Sequence, residues 1–198
     1  MRFRYVAVTV VVGVTVPQTV FSQVTGVPPG FKVGAAIGYN TLGGDDFDGL
    51  DPGFGFHGFL GYMTPAGFTI SGGVQYSTHG VDGIDENAHV LGVYVEPRYS
   101  AKLASPSVAP FIGGRAYWVR YTLNMAWVGD ASSSGFAFAG IGGIVFQVAP
   151  QFALEPAVTF MLLSFGEAKV DGETIPDTDM QGNSLGLHLA FVISFPSH

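Results

Sequence analysis

The chain has 198 residues, no Cys, 29 Gly and 17 Phe, with 12% charged residues and a formal net charge of −7. A charged fraction about half the usual ~25%, beside 47% hydrophobic residues, excludes a disordered chain and argues against an ordinary soluble domain. Eight Lys and Arg cannot build a basic patch for nucleic acid, and without Cys there is no disulfide framework, thiolate metal site or Cys nucleophile.

Arg2 and Arg4 open the chain, the apolar run Val6 to Val16 follows, and Pro17 breaks it. This is the order of a secretory signal peptide, with residues 1–22 as the leader and the break after Ser22. A buried N-terminal strand is the alternative; a membrane-spanning helix is not, because it needs ~20 apolar residues. Beyond the leader remain 176 residues, with six Lys and Arg against fifteen Asp and Glu, a formal −9. Residues 23–29 read as a short periplasmic segment and 30–198 as one domain.

In that domain eight segments place large apolar residues at every second position, which is strand periodicity. They run from Phe31 to Tyr39, Phe54 to Tyr62, Phe68 to Tyr76, Leu91 to Tyr99, Ile112 to Trp118, Phe136 to Phe146, Phe152 to Leu162 and Leu185 to Phe195. The alternate set is Gly, small or polar: Lys32, Gly34, His57, Gln75, Tyr94, Glu96, Arg98, Arg115, Tyr117, Glu155 and His188 stand in it. That set is too poor in charge to be a water-facing surface. The apolar set is too bulky for the inside of an eight-stranded barrel. The apolar set therefore faces outward, toward lipid, and the fold is all-β, an eight-stranded antiparallel up-and-down transmembrane β-barrel.

The connections are expected to alternate. Residues 41–53, 79–88, 122–134 and 164–183 read as long loops, and 64–67, 101–107 and 149–151 as short turns, the outer-membrane pattern with turns in the periplasm. Thirteen of the fifteen acidic residues fall in the long loops; Glu96 and Glu155 alone fall in strands. Outward aromatics gather at strand ends as two girdles, with Tyr39, Phe54, Tyr76, Trp118, Phe136 and Phe160 in the outer one. Pro97, Pro110 and Pro156 resist a closed ladder and are read as bulges or strand ends.

The stretch Val95-Glu96-Pro97-Arg98-Tyr99, followed by Ala109-Pro110-Phe111-Ile112-Gly113-Gly114-Arg115, resembles the fourth and fifth strands of the small OmpA-like, OmpX-type outer-membrane β-barrels. Phe152 to Phe160 resembles their seventh strand, and Ser184-x-Gly186-x-x-Leu189-x-Phe191 their assembly signal. The likeness covers residues 30–195. Gly113-Gly114-Arg115 departs from the family's Gly-x-Gly, and three residues follow Phe195, where the family ends on the aromatic. The resemblance implies a bacterial outer-membrane location, contact with outer-membrane lipids and lipopolysaccharide, insertion by the barrel-assembly machinery, a monomer, and no cofactor.

Ionised groups in a narrow interior must pair. Glu96 and Glu155 are expected to bridge Arg98 and Arg115, with Lys32 as a further partner, in a network that is either a structural plug or a gate; similar networks plug OmpA-like barrels. The acidic loops offer a weak divalent-cation site at Asp177, Asp179 and Gln181, although the twelfth-position Glu of a calcium loop is replaced by His188. No enzyme is expected: the His-x-Ser pair of a lipid A deacylase is absent, and Ser77-Thr78-His79 runs the other way. The function expected is a structural or surface-interaction role. An adhesin or ligand-binding barrel working through its acidic loops is the alternative, ahead of a narrow pore and, last, a lipid A-modifying enzyme.

Overall fold

The computed structural model describes residues 29–101, 107–125, 129–171 and 173–196. The expected leader at 1–22 lies outside these residues. Eight long strands follow in chain order: β1 (Gly30–Gly43), β2 (Gly53–Met63), β3 (Phe68–Val81), β4 (Ile84–Ser100), β5 (Val108–Met125), β6 (Gly129–Ala149), β7 (Phe152–Phe165) and, after two short strands, β10 (Met180–Pro196). The short pair, β8 (Lys169–Val170) and β9 (Glu173–Thr174), forms a small hairpin that pairs with β6. Every long strand pairs antiparallel with its neighbour, and β1 pairs with β10 from Gly30↔Pro196 to Gly43↔Asn183, which closes the barrel.

Gly30 and Pro196 stand side by side, so one end of the barrel, here the near end, carries both ends of the described chain. The connections 64–67 and 150–151 turn there, and β4 ends and β5 begins there. In membrane barrels short turns are periplasmic, an arrangement that would make the far end extracellular. Two of the four long loops expected at the far end are strand instead. Residues 79–88 form a hairpin whose strands end at Val81 and begin at Ile84, and 122–134 pairs from Thr122↔Ser132 up to Met125↔Gly129. Only 44–52 and 166–179 are long, and 45–47 of the first form a single 3-10 turn.

The outward set is as the alternation requires. Phe31, Phe54, Phe56, Leu60, Ile112, Phe136 and Phe138 are each more than 60% exposed on the barrel's outside. So much apolar surface in water would be opposed by about 25 cal/mol for each Å², whereas acyl chains accept it. Aromatic pairs sit at both ends of this band: Tyr39 meets Phe54 at 5.2 Å, and Phe31 meets Tyr62 at 5.3 Å.

The inside differs from the expected set of small and polar residues. Apolar side chains form two layers, one around Met63, Phe111, Ile141, Val145 and Val192, the other around Tyr117, Val119, Met161, Leu163 and Phe165. Phe59 packs on both. Gly34 makes room for it, since a Cβ there would stand 2.3 Å from the Phe59 ring. An eight-stranded barrel must be filled by side chains, and apolar ones fill it where no charge needs a partner.

Candidate functional site

The polar cluster lies in the lumen between those layers. Its members come from β4 (Glu96, Arg98), β5 (Arg115) and β7 (Glu155), all on the inward parity of their strands and all under 7% exposed. Arg98 donates from both terminal nitrogens to Glu155, at 2.6 and 3.0 Å, a bidentate bond that joins walls three strands apart. Arg115 donates through Nε to Glu96, and Glu96 also lies 3.8 Å from Arg98. The four groups are thus one connected network of two cations and two carboxylates. Charge-assisted fork geometry is the strongest form such contacts take, and in a poorly hydrated interior it offsets the cost of burying the charges.

Aromatic faces complete the setting. The Arg98 guanidinium stands 4.6 Å from the Phe111 ring centre and that of Arg115 4.7 Å from Tyr94. Arg115 also donates to the Tyr117 hydroxyl at 3.1 Å, and Tyr117 donates to Gln75 at 3.1 Å, which carries the network to β3. His57 and His188 meet edge to face at 5.3 Å beside it. The space left among His57, Phe59, Glu96, Arg98, Arg115, Glu155 and His188 is about 10 Å³, room for one water at most. The alternation does not single out Phe111, although it has the parity of Gly113 and Arg115. Tyr94, Tyr117 and Gln75 are placed inward by the same alternation, but which atoms they touch depends on barrel shear.

Lys32 is inside too, 1% exposed, but no carboxylate among the described residues lies within 4.0 Å of it. It leaves the lumen with three cations against two carboxylates. Asp177, Asp179 and Gln181 are exposed at the far end, and the backbone N–H of Gln181 donates to the Asp46 carboxylate at 2.7 Å. Among the described residues no group of three or more His, Asp or Glu is arranged to hold a metal ion.

The far end carries a feature the sequence did not announce. The 3-10 turn Asp45–Phe47 folds inward and buries Phe47 to 3% exposure against Tyr121 and Phe165, 6.1 and 6.0 Å away. Backbone bonds from Asp51 to Gly80 and from Asp82 to Gly49 tie the rest of 44–52 to the β3–β4 hairpin. His79 adds a contact from Nδ1 to the Asp51 carbonyl, and its Nε2 meets the Ser77 hydroxyl, both at 3.1 Å. With Nδ1 donating, Nε2 is left to accept from Ser77, the tautomer of a Ser–His pair. Ser77 and His79 are 3% and 1% exposed beneath the loop, so this contact latches the loop and presents no nucleophile to a substrate.

A family model described as the outer membrane protein beta-barrel domain matches residues 6–191. No curated protein matches the chain in sequence. Among solved structures, Neisserial surface protein A superposes with a TM-score of 0.65 at 18% identity, over 83% of this chain and 97% of that one. OprG from Pseudomonas aeruginosa gives 0.60 at 13%, over 88% and 100%. The outer membrane protein AlkL, determined in lipid bilayers, gives 0.55 at 12%, over 92% and 99%. At these identities the likeness is one of fold.

Proposed function

The chain belongs to the outer membrane protein beta-barrel domain family, and on that premise we propose that it is a non-enzymatic integral protein of the bacterial outer membrane. In this reading residues 1–22 are a cleaved leader, the barrel is a monomer among outer-membrane lipids and lipopolysaccharide, and the lumen is plugged. The observation that carries the plug is the bidentate Arg98–Glu155 bond across the lumen, with about 10 Å³ free in the space beside it. A conducting pore needs a continuous file of water, and apolar layers lie on both sides of the cluster.

Planar-bilayer recording tests it. The unaltered barrel is expected to be silent, and Arg115→Ala to be silent as well, because the apolar layers remain. Steady ohmic steps from the unaltered barrel would remove the plug, and steps in Arg115→Ala alone would make the cluster a gate.

A surface-binding role is supported by the far-end loops. Residues 166–179 project Asp171, Glu173, Asp177 and Asp179 into solvent, while 44–52 is folded in. Deleting 171–178 and comparing adherence of cells carrying each form tests that role; equal adherence removes it.

A further inference from the structure

Six Lys and Arg lie beyond residue 22, and their placement is uneven. Lys32, Arg98 and Arg115 face the lumen, and Lys102, between β4 and β5 in sequence, lies outside the described residues. The remaining two, Arg120 and Lys169, are both exposed at the far end, and the strand register brings them onto one face. Arg120 pairs with Leu91 on β4 and Ser134 on β6. One step higher, His89, Thr122, Ser132 and Lys169 form a single row across β4, β5, β6 and β8. Residues opposite one another in a ladder share a face, so all of these point outward with Arg120. With strands ~4.8 Å apart, the backbones of Arg120 and Lys169 lie roughly 12 Å from each other, within reach of two long side chains converging on one group.

The level of this face is informative. Directly below Arg120 on the same side stand Trp118 and Phe136, paired with each other, 43% and 64% exposed. They belong to the outer aromatic girdle, so the row above them lies in the headgroup layer. Tyr76 and His89 stack at 5.7 Å with the Tyr76 hydroxyl 2.8 Å from His89 Nδ1. With the phenol donating to Nδ1, His89 carries its proton on Nε2 as a further outward donor. Asp45, Asp46, Asp48 and Asp51 lie in the 44–52 loop, and Glu173 pairs with Val170 and so turns to the face opposite Lys169, whereas Asp130 follows one step above Ser132 on β6 and Glu167 is exposed in the connection before β8.

We propose that the β4–β5–β6–β8 face just above the outer girdle binds the phosphate of a membrane-lipid headgroup, with Arg120 and Lys169 as its cations. Thr122, Ser132, Ser134 and His89 supply further donors around them. Arg forks onto two phosphate oxygens and Lys adds a point charge. In a barrel of net −9 this is the one described outer surface with cations at headgroup depth, so it fixes which side of the barrel an anionic lipid occupies. The inference rests on the barrel standing in a membrane, as proposed above.

Trp118 provides the test. In a Trp127→Phe background it is the only Trp. The full barrel is placed in phosphatidylcholine vesicles that contain a small fraction of either brominated phosphatidylcholine or brominated phosphatidic acid. Quenching by the brominated phosphatidylcholine reports that the barrel is inserted; its absence would overturn the membrane reading itself. Given insertion, the phosphatidic acid should quench as if enriched about fivefold or more near Trp118, since each cation near a membrane surface contributes about that factor. Arg120→Gln with Lys169→Gln should abolish the enrichment while quenching by phosphatidylcholine persists, and Lys102→Gln should leave it intact. Equal quenching by the two lipids, or enrichment that survives the double substitution, overturns the proposal. Displacement by millimolar inorganic phosphate would show a free-anion site and overturn the lipid assignment.

Discussion

The ring of Phe47 lies 2.5 Å from where a Cβ on Gly182 would stand, so β10 carries a glycine at the point where the far-end loop tucks in its aromatic. Gly182→Val should expel the ring. Overpacking of this kind costs about 1–3 kcal/mol, here relieved by releasing residues 44–52 from the barrel mouth. Limited proteolysis of the folded barrel should then cut within 44–52 much faster than in the unaltered protein. Phe47→Ala should do the same without any clash, and unchanged cleavage in both would show that the loop is held by its bonds to Gly80, Asp82, His79 and Gln181 rather than by the ring.

The lumenal cluster makes a different prediction, because its members are charged and buried. Arg98→Ala leaves Glu155 buried without the partner that donates to both its oxygens, a change that costs about 3–5 kcal/mol. Arg98→Met combined with Glu155→Leu removes both charges and keeps most of the volume, so it should recover most of that loss. Urea unfolding of the barrel in lipid vesicles measures both. A cost below about 1 kcal/mol for Arg98→Ala, the range of exposed pairs, would mean that water reaches the cluster and that it does not hold the walls together.

The contrast between what is legible in the sequence and what is not follows the lipid. Between the girdles, acyl chains outside and packed side chains inside force a strict alternation, so Phe31, Val33 and Ile37 declare their face at sight. Above the outer girdle, polar headgroups and water meet the outside of the strands, and Thr122, Ser132, Ser133 and Ser134 show no apolar period; they read as loop although they are ladder. The face that joins Arg120 to Lys169 is hidden for that reason. Inside, Glu96, Arg98, Arg115 and Glu155 can be grouped by the rule that buried charge must pair, but the rule gives no distances, and Lys32 lies apart. Phe59 and Phe111 escape the pattern because glycines on neighbouring strands, Gly34 and Gly143, hold their space, and that pairing exists only once register is known.

Depth along the outer wall can be read by a single cation. Val95 faces lipid midway along β4, between Leu91, paired with Tyr76, and Tyr99, paired with Phe68. Val95→Arg should destabilise by about 2–4 kcal/mol, the cost at a bilayer midplane, whereas Thr122→Arg, above Trp118 on the same face of β5, should cost about 0–1 kcal/mol. Unfolding of the two variants in vesicles against the unaltered barrel gives the difference directly. Similar costs at both sites would place the girdle wrongly.

Pro97 and Pro156 both follow a glutamate of the cluster, and each opens the ladder on one side. The β4–β5 pairing passes from Val95↔Ala116 to Arg98↔Gly113 with nothing between, while the register stays unchanged, so there is no bulge. β6–β7 likewise passes from Gly143↔Ala157 to Phe146↔Leu154. The carbonyl of Pro97 comes within 2.7 Å of a Cβ position on Gly113, and that of Pro156 within 2.5 Å of one on Gly143, so the prolines face β5 and β6 respectively. A residue's nitrogen points to the same neighbour as its oxygen, and the missing N–H therefore falls in each gap. Pro97→Ala supplies that donor toward Gly114, where lipid rather than water lies outside, and should stabilise the barrel by about 1 kcal/mol. The amide that this substitution introduces should be strongly protected from hydrogen exchange. Pro156→Ala should add a similar increment independently, because the two gaps lie in different ladders. Rapid exchange of the introduced amide would mean that the gap is set by the Glu96–Arg115 contact rather than by the proline.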